Sequence, residues 1–166
     1  MTPLAQFWIA RHDDFRAQCA VLQAANDAWR ENNGDLEAYT RTAASRTRFL
    51  IAHLQGHHQI EDYHYFPAFR AVDARLAAGF DVLAGDHDIL NLSGRSAIET
   101  LDALQESLAA GRAAETLQRA ANRYVDAADA LYRRILRHLD DEEDLVIPLM
   151  LALGYPGSDR GFIFGV

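Results

Sequence analysis

The sequence predicts an all-α protein, an antiparallel up-down-up-down four-helix bundle. Three observations carry that prediction. Apolar residues make up 49% of the chain, Ala and Leu abound, and prolines number only four, a helix-forming composition. Four stretches repeat apolar residues at alternating steps of four and three, the mark of one buried helix face. Short turn signals separate the stretches and no strand pattern competes, so successive helices reverse direction around one core. The 166 residues suffice for a single domain. Residues 1–153 are assigned to the bundle and 154–166 to a C-terminal tail.

The first helix starts near Pro3, a residue suited to a first helical position, and runs to about Glu31. Its seam is Trp8, His12, Phe15, Cys19, Leu22, Asn26 and Trp29. Asn32-Asn33-Gly34-Asp35 is a stop and turn, with Asp35 the N-cap of the second helix. The second helix takes Leu36 to about Phe66, with the seam Ala43, Thr47, Leu50, Leu54, His57, Glu61 and His64; Pro67 ends or kinks it. A further helical piece covers Ala68 to Ala78, ended by Gly79, and Phe80 to Gly85 forms a connection or the lead-in to the third helix. Asp86 caps the third helix, which runs to Ala109 and stops at Gly111. Its seam is Leu83, His87, Leu90, Gly94, Ala97, Leu101, Leu104 and Leu108. The fourth helix runs from about Ala113 to Leu151, with Leu117, Ala121, Tyr124, Ala128, Leu131, Ile135, His138, Glu142, Leu145 and Leu149 on its seam and Pro148 near its end. The tail carries Phe162, Ile163 and Phe164 among turn formers.

A net charge of −8 and a pI of about 5.2 argue against nucleic acid or an anionic membrane as partner. The single cysteine, Cys19, cannot form an internal disulfide, which suits a reducing compartment. Met1 to Ala10 lacks the basic-then-apolar order of a secretion signal, and no apolar run approaches the ~20 residues that span a bilayer. The expected location is the cytoplasm.

Two stretches carry the chemistry. His57-His58-Gln59-Ile60-Glu61-Asp62 runs on to Phe66-Pro67, and His138-Leu139-Asp140-Asp141-Glu142-Glu143 runs on to Ile147-Pro148. In each, a carboxylate four residues after the His shares its helix face, and a second carboxylate follows directly. A lone pair of this kind is by default a surface ion pair. Here His12, His57, Glu61, His87, His138 and Glu142 all fall on core-facing seams of the four helices. Ionisable groups are rarely buried unless paired or bound to metal, so six of them call for a common partner. In a bundle His57 faces His138 and Glu61 faces Glu142 at one height, and His12 and His87 complete a ring. Imidazoles with carboxylates able to bridge suit iron or manganese, and imidazole-rich sites also accept zinc. Asp62, Asp140, Asp141, Glu143 and Asp144 read as a solvated acidic face; Asp13 and Asp86 read as caps or as groups orienting an imidazole.

From His12 to Leu149 the chain resembles the hemerythrin-like, or HHE cation-binding, domain family. The motifs that carry the resemblance are His12-Asp13-Asp14-Phe15, His57-x3-Glu61-Asp62 with Phe66-Pro67, Asp86-His87, and His138-x3-Glu142-Glu143 with Pro148. The resemblance implies a four-helix bundle holding a non-haem di-iron centre with an oxo or hydroxo bridge. By position it implies Glu61 and Glu142 as bridging carboxylates and His12, His57, His87 and His138 as terminal ligands. Oxygen-carrying members take a fifth histidine four residues after the third-helix His, where this chain has Asn91. The substitutes are His58, which follows the second-helix His directly, then His53, His64 or a water.

The expected function is binding of O2 or a related small ligand, NO or peroxide, in oxygen binding or sensing or in stress response, with zinc or manganese as substitute metals. One alternative is a di-iron peroxidase or an oxidative or nitrosative stress repair enzyme, marked by steady turnover. Another is a metal-dependent sensor or interaction module, marked by partner binding that iron or O2 switches; the sequence names no protein partner.

Overall fold

Long helices form wherever the four-three seams run. The computed structural model describes residues 1–32 and 34–152, and among them there is no strand. The elements are α1 (Pro3–Asn32), α2 (Leu36–Ile60), a π-helical turn (Glu61–Tyr65), α3 (Phe66–Val72), a 3-10 turn (Ala74–Leu76), α4 (Ala77–Ala109) and α5 (Ala114–Ala152). They make a helical bundle in which α1 packs on α2 and α5, α2 on α4, and α4 on α5. The first-helix seam is buried throughout, from Trp8 to Trp29. Asp35 caps α2 as the sequence predicts, accepting from the N–H groups of Glu37 and Ala38 at 3.0 and 3.1 Å. Gly111 follows α4 with φ of 58°, the left-handed conformation that glycine supplies without a Cβ penalty. The tail from Gly154 onward, with Phe162, Ile163 and Phe164, lies outside the described residues.

Between α2 and α4 the expected boundaries shift. Pro67 does not stop the helical path; it is absorbed. Pro67 has no N–H, and its ring crowds the preceding turn of an α-helix. A π-helical turn relieves this, with the Phe66 N–H reaching back five residues to the Glu61 carbonyl. The wider turn re-phases the face by one residue. His64 therefore leaves the seam and is exposed, while Phe66 and Phe69 are buried. The piece expected over Ala68–Ala78 is the short α3 and a 3-10 turn capped by Asp73, which accepts from the Arg75 N–H at 3.0 Å.

Gly79 does not end a helix, Phe80–Gly85 is the lead-in to the next long helix rather than a connection, and Asp86 does not cap one. All lie inside α4, which begins at Ala77. Burial of Phe80 extends the α4 seam by one turn before Leu83, the first residue of the expected seam. Gly79 admits a neighbour, since a Cβ there would stand 2.9 Å from Leu145 Cδ2. Asp86 is buried and accepts from Arg137 Nη2 at 2.8 Å, so its side chain points across to α5 rather than back to its own helix start.

The apolar core is divided. One cluster includes Phe15, Cys19, Leu22, Leu50, Leu54, Leu101, Leu104, Tyr124, Tyr132 and Leu139. The other includes Ala5, Trp8, Phe66, Phe69, Phe80, Leu83, Val146 and Met150. The buried histidines and glutamates occupy the level between them. Leu101→Ala removes a fully buried side chain and is expected to lower unfolding free energy by about 2–5 kcal/mol in urea titration. Leu92→Ala, at an exposed site on the same helix, is expected to change it by about 0.5 kcal/mol or less.

Candidate metal centre

Each long helix sends polar side chains into the level between the two apolar clusters. The first contributes His12, the second His57, His58 and, at the start of the π-turn, Glu61. The fourth and fifth contribute His87 and then His138 with Glu142. These residues form two groups: His12, His57, Glu61 and Glu142 in one, and His58, His87 and His138 in the other. Within each group the facing nitrogen and oxygen atoms all lie within 4.8 Å of one another.

The carboxylates join the groups. Glu61 turns Oε1 to His57 Nε2 at 2.8 Å and Oε2 to His87 Nε2 at 3.6 Å. Glu142 turns Oε1 to His12 Nε2 at 3.8 Å and Oε2 to His138 Nε2 at 3.4 Å. Each glutamate thus presents one oxygen to each group. His57 and His58 are neighbours in sequence, yet they enter different groups, because they precede Glu61 by four and three residues and flank it on one helix face. The imidazole stacked on His87 comes from α2: the His58 ring lies 3.9 Å away at an interplanar angle of 8°. His87 and His138 bring their Nε2 atoms within 3.2 Å.

Outer carboxylates hold two of the rings. His12 Nδ1–H donates to Glu143 Oε1 at 2.9 Å, and Glu143 is held in turn by Arg16 Nη1 at 2.8 Å. His87 Nδ1–H donates to Asp62 Oδ1 at 2.9 Å. A carboxylate accepts only, so these bonds place the proton on Nδ1 and leave the Nε2 lone pairs facing inward. Asp62 and Glu143 are therefore not simply part of a solvated acidic face. Sequence reasoning missed their role, although a signal was present: each directly follows the buried glutamate of its motif. The remaining substitutes for a fifth histidine are placed elsewhere. His53 and His64 are both exposed, and the His53 Nδ1–H donates to its own helix, to the Phe49 carbonyl at 2.9 Å.

Electrostatics at this level are unbalanced. Burial pushes Glu61 well above the usual carboxylate range, and burial followed by the charge of Glu61 raises Glu142. Burial lowers His57 to about 4, and lowers His12, His58 and His87 as well. His12, His57, His58 and His87 are thus neutral donors, and they bring no charge to offset two carboxylates in a dry interior. Both oxygens of each glutamate are buried without a hydrogen-bond partner, as are Nε2 of His12 and His57 and both ring nitrogens of His58. Buried polar atoms left unpaired are costly, and so many converging from α1, α2 with its π-turn, and α5 fit a cation. Five imidazoles and two carboxylates, with no thiolate, form a donor set suited to divalent first-row metals.

The chain matches the hemerythrin HHE cation binding domain over residues 4–154, nearly its whole length. The chain belongs to that family. Neither a curated protein nor a solved structure matches it. As a hemerythrin-family domain, it carries His and Glu groups that could hold a metal. Among the described residues no helix is long and apolar enough to cross a membrane.

The shifts set the pH response of the metal-free hemerythrin domain. His57 has a depressed folded value, so its contribution is complete above 6.5 and is lost as pH falls through about 4. Glu61 and Glu142 have raised folded values, so theirs is complete below 4.5 and is lost as pH rises through the folded values. The two effects oppose each other between 4.5 and 6.5. Thermal melts of metal-free protein are expected to show that Glu61→Gln reduces the loss of stability incurred as pH rises from 4.5 through the folded carboxylate values.

Proposed function

We propose that the polar level holds two iron ions and that the protein binds O2 or a related small ligand, NO or peroxide, there. One observation carries this reading: two fully buried glutamates each turn one oxygen to each of two imidazole groups. In this reading His12 and His57, with one oxygen from each glutamate, hold the first ion. His58, His87 and His138, with the other two oxygens, hold the second. The iron would supply reversible ligand binding, with manganese or zinc as structural substitutes.

The chain's own residues do the rest. Asp62 and Glu143 fix the tautomer and ring orientation of His87 and His12, as outer carboxylates do for metal-bound imidazoles. The first group has one imidazole fewer, so an incoming ligand fits there. Its surroundings are apolar: Phe15 lies 5.2 Å from the His57 ring, and Trp8 lies 6.0 and 6.3 Å from the rings of His12 and His57. Such walls exclude water and leave few groups able to deliver a proton, which favours reversible binding over turnover. The helices alternate in direction in this reading, supported by His12 lying beside His57 while Asn26 bonds Tyr39.

Metal analysis with anaerobic spectra before and after O2 tests the proposal. About two irons per chain, with a spectral change that reverses when O2 is removed, is the expected result. A protein that neither contains metal nor takes up iron anaerobically overturns it. Sustained consumption of peroxide or NO moves the assignment to the stress-repair enzyme. Asp62→Asn and Glu143→Gln are each expected to weaken metal retention by about 10–100-fold in chelator competition, with the fold unchanged by circular dichroism. His58→Ala is expected to lose part of the bound metal; full retention would remove His58 from the ligand set.

A further inference from the structure

The two outer carboxylates that bond imidazoles are not held alike. Glu143 reaches His12 from α5, and Arg16 stands one turn after His12 on the same face of α1. Both donors meet one oxygen: His12 Nδ1 lies 2.9 Å and Arg16 Nη1 2.8 Å from Glu143 Oε1. The other arm of the guanidinium, Nη2, donates to Asp140 Oδ1 at 2.7 Å. Asp140 precedes Glu143 by one turn of α5, so a single planar fork spans both carboxylates. Asp13, on α1 itself, stands 3.5 Å from Nη1. Asp62, the carboxylate that bonds His87, lacks such a clamp, since among the described residues no arginine pairs with it.

The difference matters because Glu143 has more freedom to leave its ring. Water reaches both carboxylates, with 23% of the Glu143 side chain and 36% of the Asp62 side chain exposed. A glutamate has one more side-chain torsion than an aspartate, so holding it in one place costs more rotamer entropy. A second carboxylate also faces the same ring: Glu142 Oε1 lies 3.8 Å from His12 Nε2. With Glu143 swung out to solvent, the ring proton would pass to Nε2 and face Glu142, and the lone pair would point away from the polar level. The consequence falls on the group with fewer imidazoles, because His12 is one of two there while His87 is one of three.

We propose that Arg16 is a positioning residue that acts through Glu143 to keep His12 aimed into the polar level, and that only the His12–His57 group depends on it. Its polar partners are the three carboxylates Asp13, Asp140 and Glu143, so it acts on the ring through a carboxylate and not by contact. The fork fixes Glu143 from the side away from the ring, and Asp140 fixes the fork. The effect on bound metal rests on the proposed two-ion reading. The effect on the His12 ring does not, and it is present in metal-free protein.

Two measurements on the full chain separate these effects. In metal-free, nitrogen-15-labelled protein, two-bond proton–nitrogen correlation spectra read the ring tautomers. The wild type is expected to carry the His12 proton on Nδ1. Arg16→Gln is expected to populate the Nε2–H form of His12 and to leave His87 unchanged. Arg16→Lys keeps a cationic donor for Glu143 and is expected to restore the wild-type tautomer, which a mere pin between α1 and α5 would not govern. In anaerobic iron(II) titration against a chelator, Arg16→Gln is expected to weaken one of two bound ions by about tenfold and leave the other unchanged. An unchanged His12 tautomer in Arg16→Gln, or a change at His87 as large as that at His12, overturns the proposal whether or not metal binds. Equal weakening of both ions overturns its restriction to one group. Wild-type protein that takes up no iron removes the two-ion reading instead, and the tautomer result then decides the role of Arg16.

Discussion

The structure depends on one constraint, the burial of two glutamates without a protein cation. Glu61 and Glu142 sit in the interior with no carboxylate oxygen making a hydrogen bond, and burial lowers the pKa of His12, His57, His58 and His87 around them. An apolar pair of similar volume would stabilise the bundle better in the absence of metal. The polar level also splits the core, so that neither apolar cluster runs the length of the bundle. Such an arrangement makes physical sense when a cation supplies the missing charge, and the family assignment agrees with that.

Local chain geometry delivers the donors to this level. On α2 the seam would have carried His64 inward at the next step after Glu61. The π-turn before Pro67 inserts one residue, turns His64 to solvent and brings Phe66 onto the His87 ring at 5.5 Å between centroids. The same turn begins at Glu61 and carries Asp62, whose carboxylate bonds the outer nitrogen of His87. One local irregularity therefore ends a run of inward polar residues, closes the level with an aromatic ring and positions an orienting carboxylate. Pro148 occupies the matching place in the second motif, and there α5 continues to Ala152 without a π-turn.

The two motifs are alike in plan and unequal in content. Asp62 on the α2 side bonds the α4 histidine, and Glu143 on α5 bonds the α1 histidine, an exchange consistent with two related halves. His58 breaks the relation, because the corresponding residue of the second motif is Leu139, which joins the apolar core. The result is three imidazoles on one side and two on the other. That inequality, more than the count of donors, is what would give a metal pair one crowded and one open member.

The sequence by itself determined the helices, their buried seams and the six residues His12, His57, Glu61, His87, His138 and Glu142. Periodicity is local, and a polar residue on an apolar seam is visible without coordinates. The start of α4 was less legible, because Gly79 and Asp86 resemble a stop and a cap when their partners Leu145 and Arg137, far along the chain, are unseen. Only the tertiary structure decided among His58, His53 and His64. All three sit on one helix, and their separation depends on the neighbour that His58 meets in α4 and on the π-turn that turns His64 away. It also decided that Asp62 and Glu143 belong to the polar level, since an acidic residue beside a seam reads as solvated until another helix brings an imidazole within 2.9 Å of it.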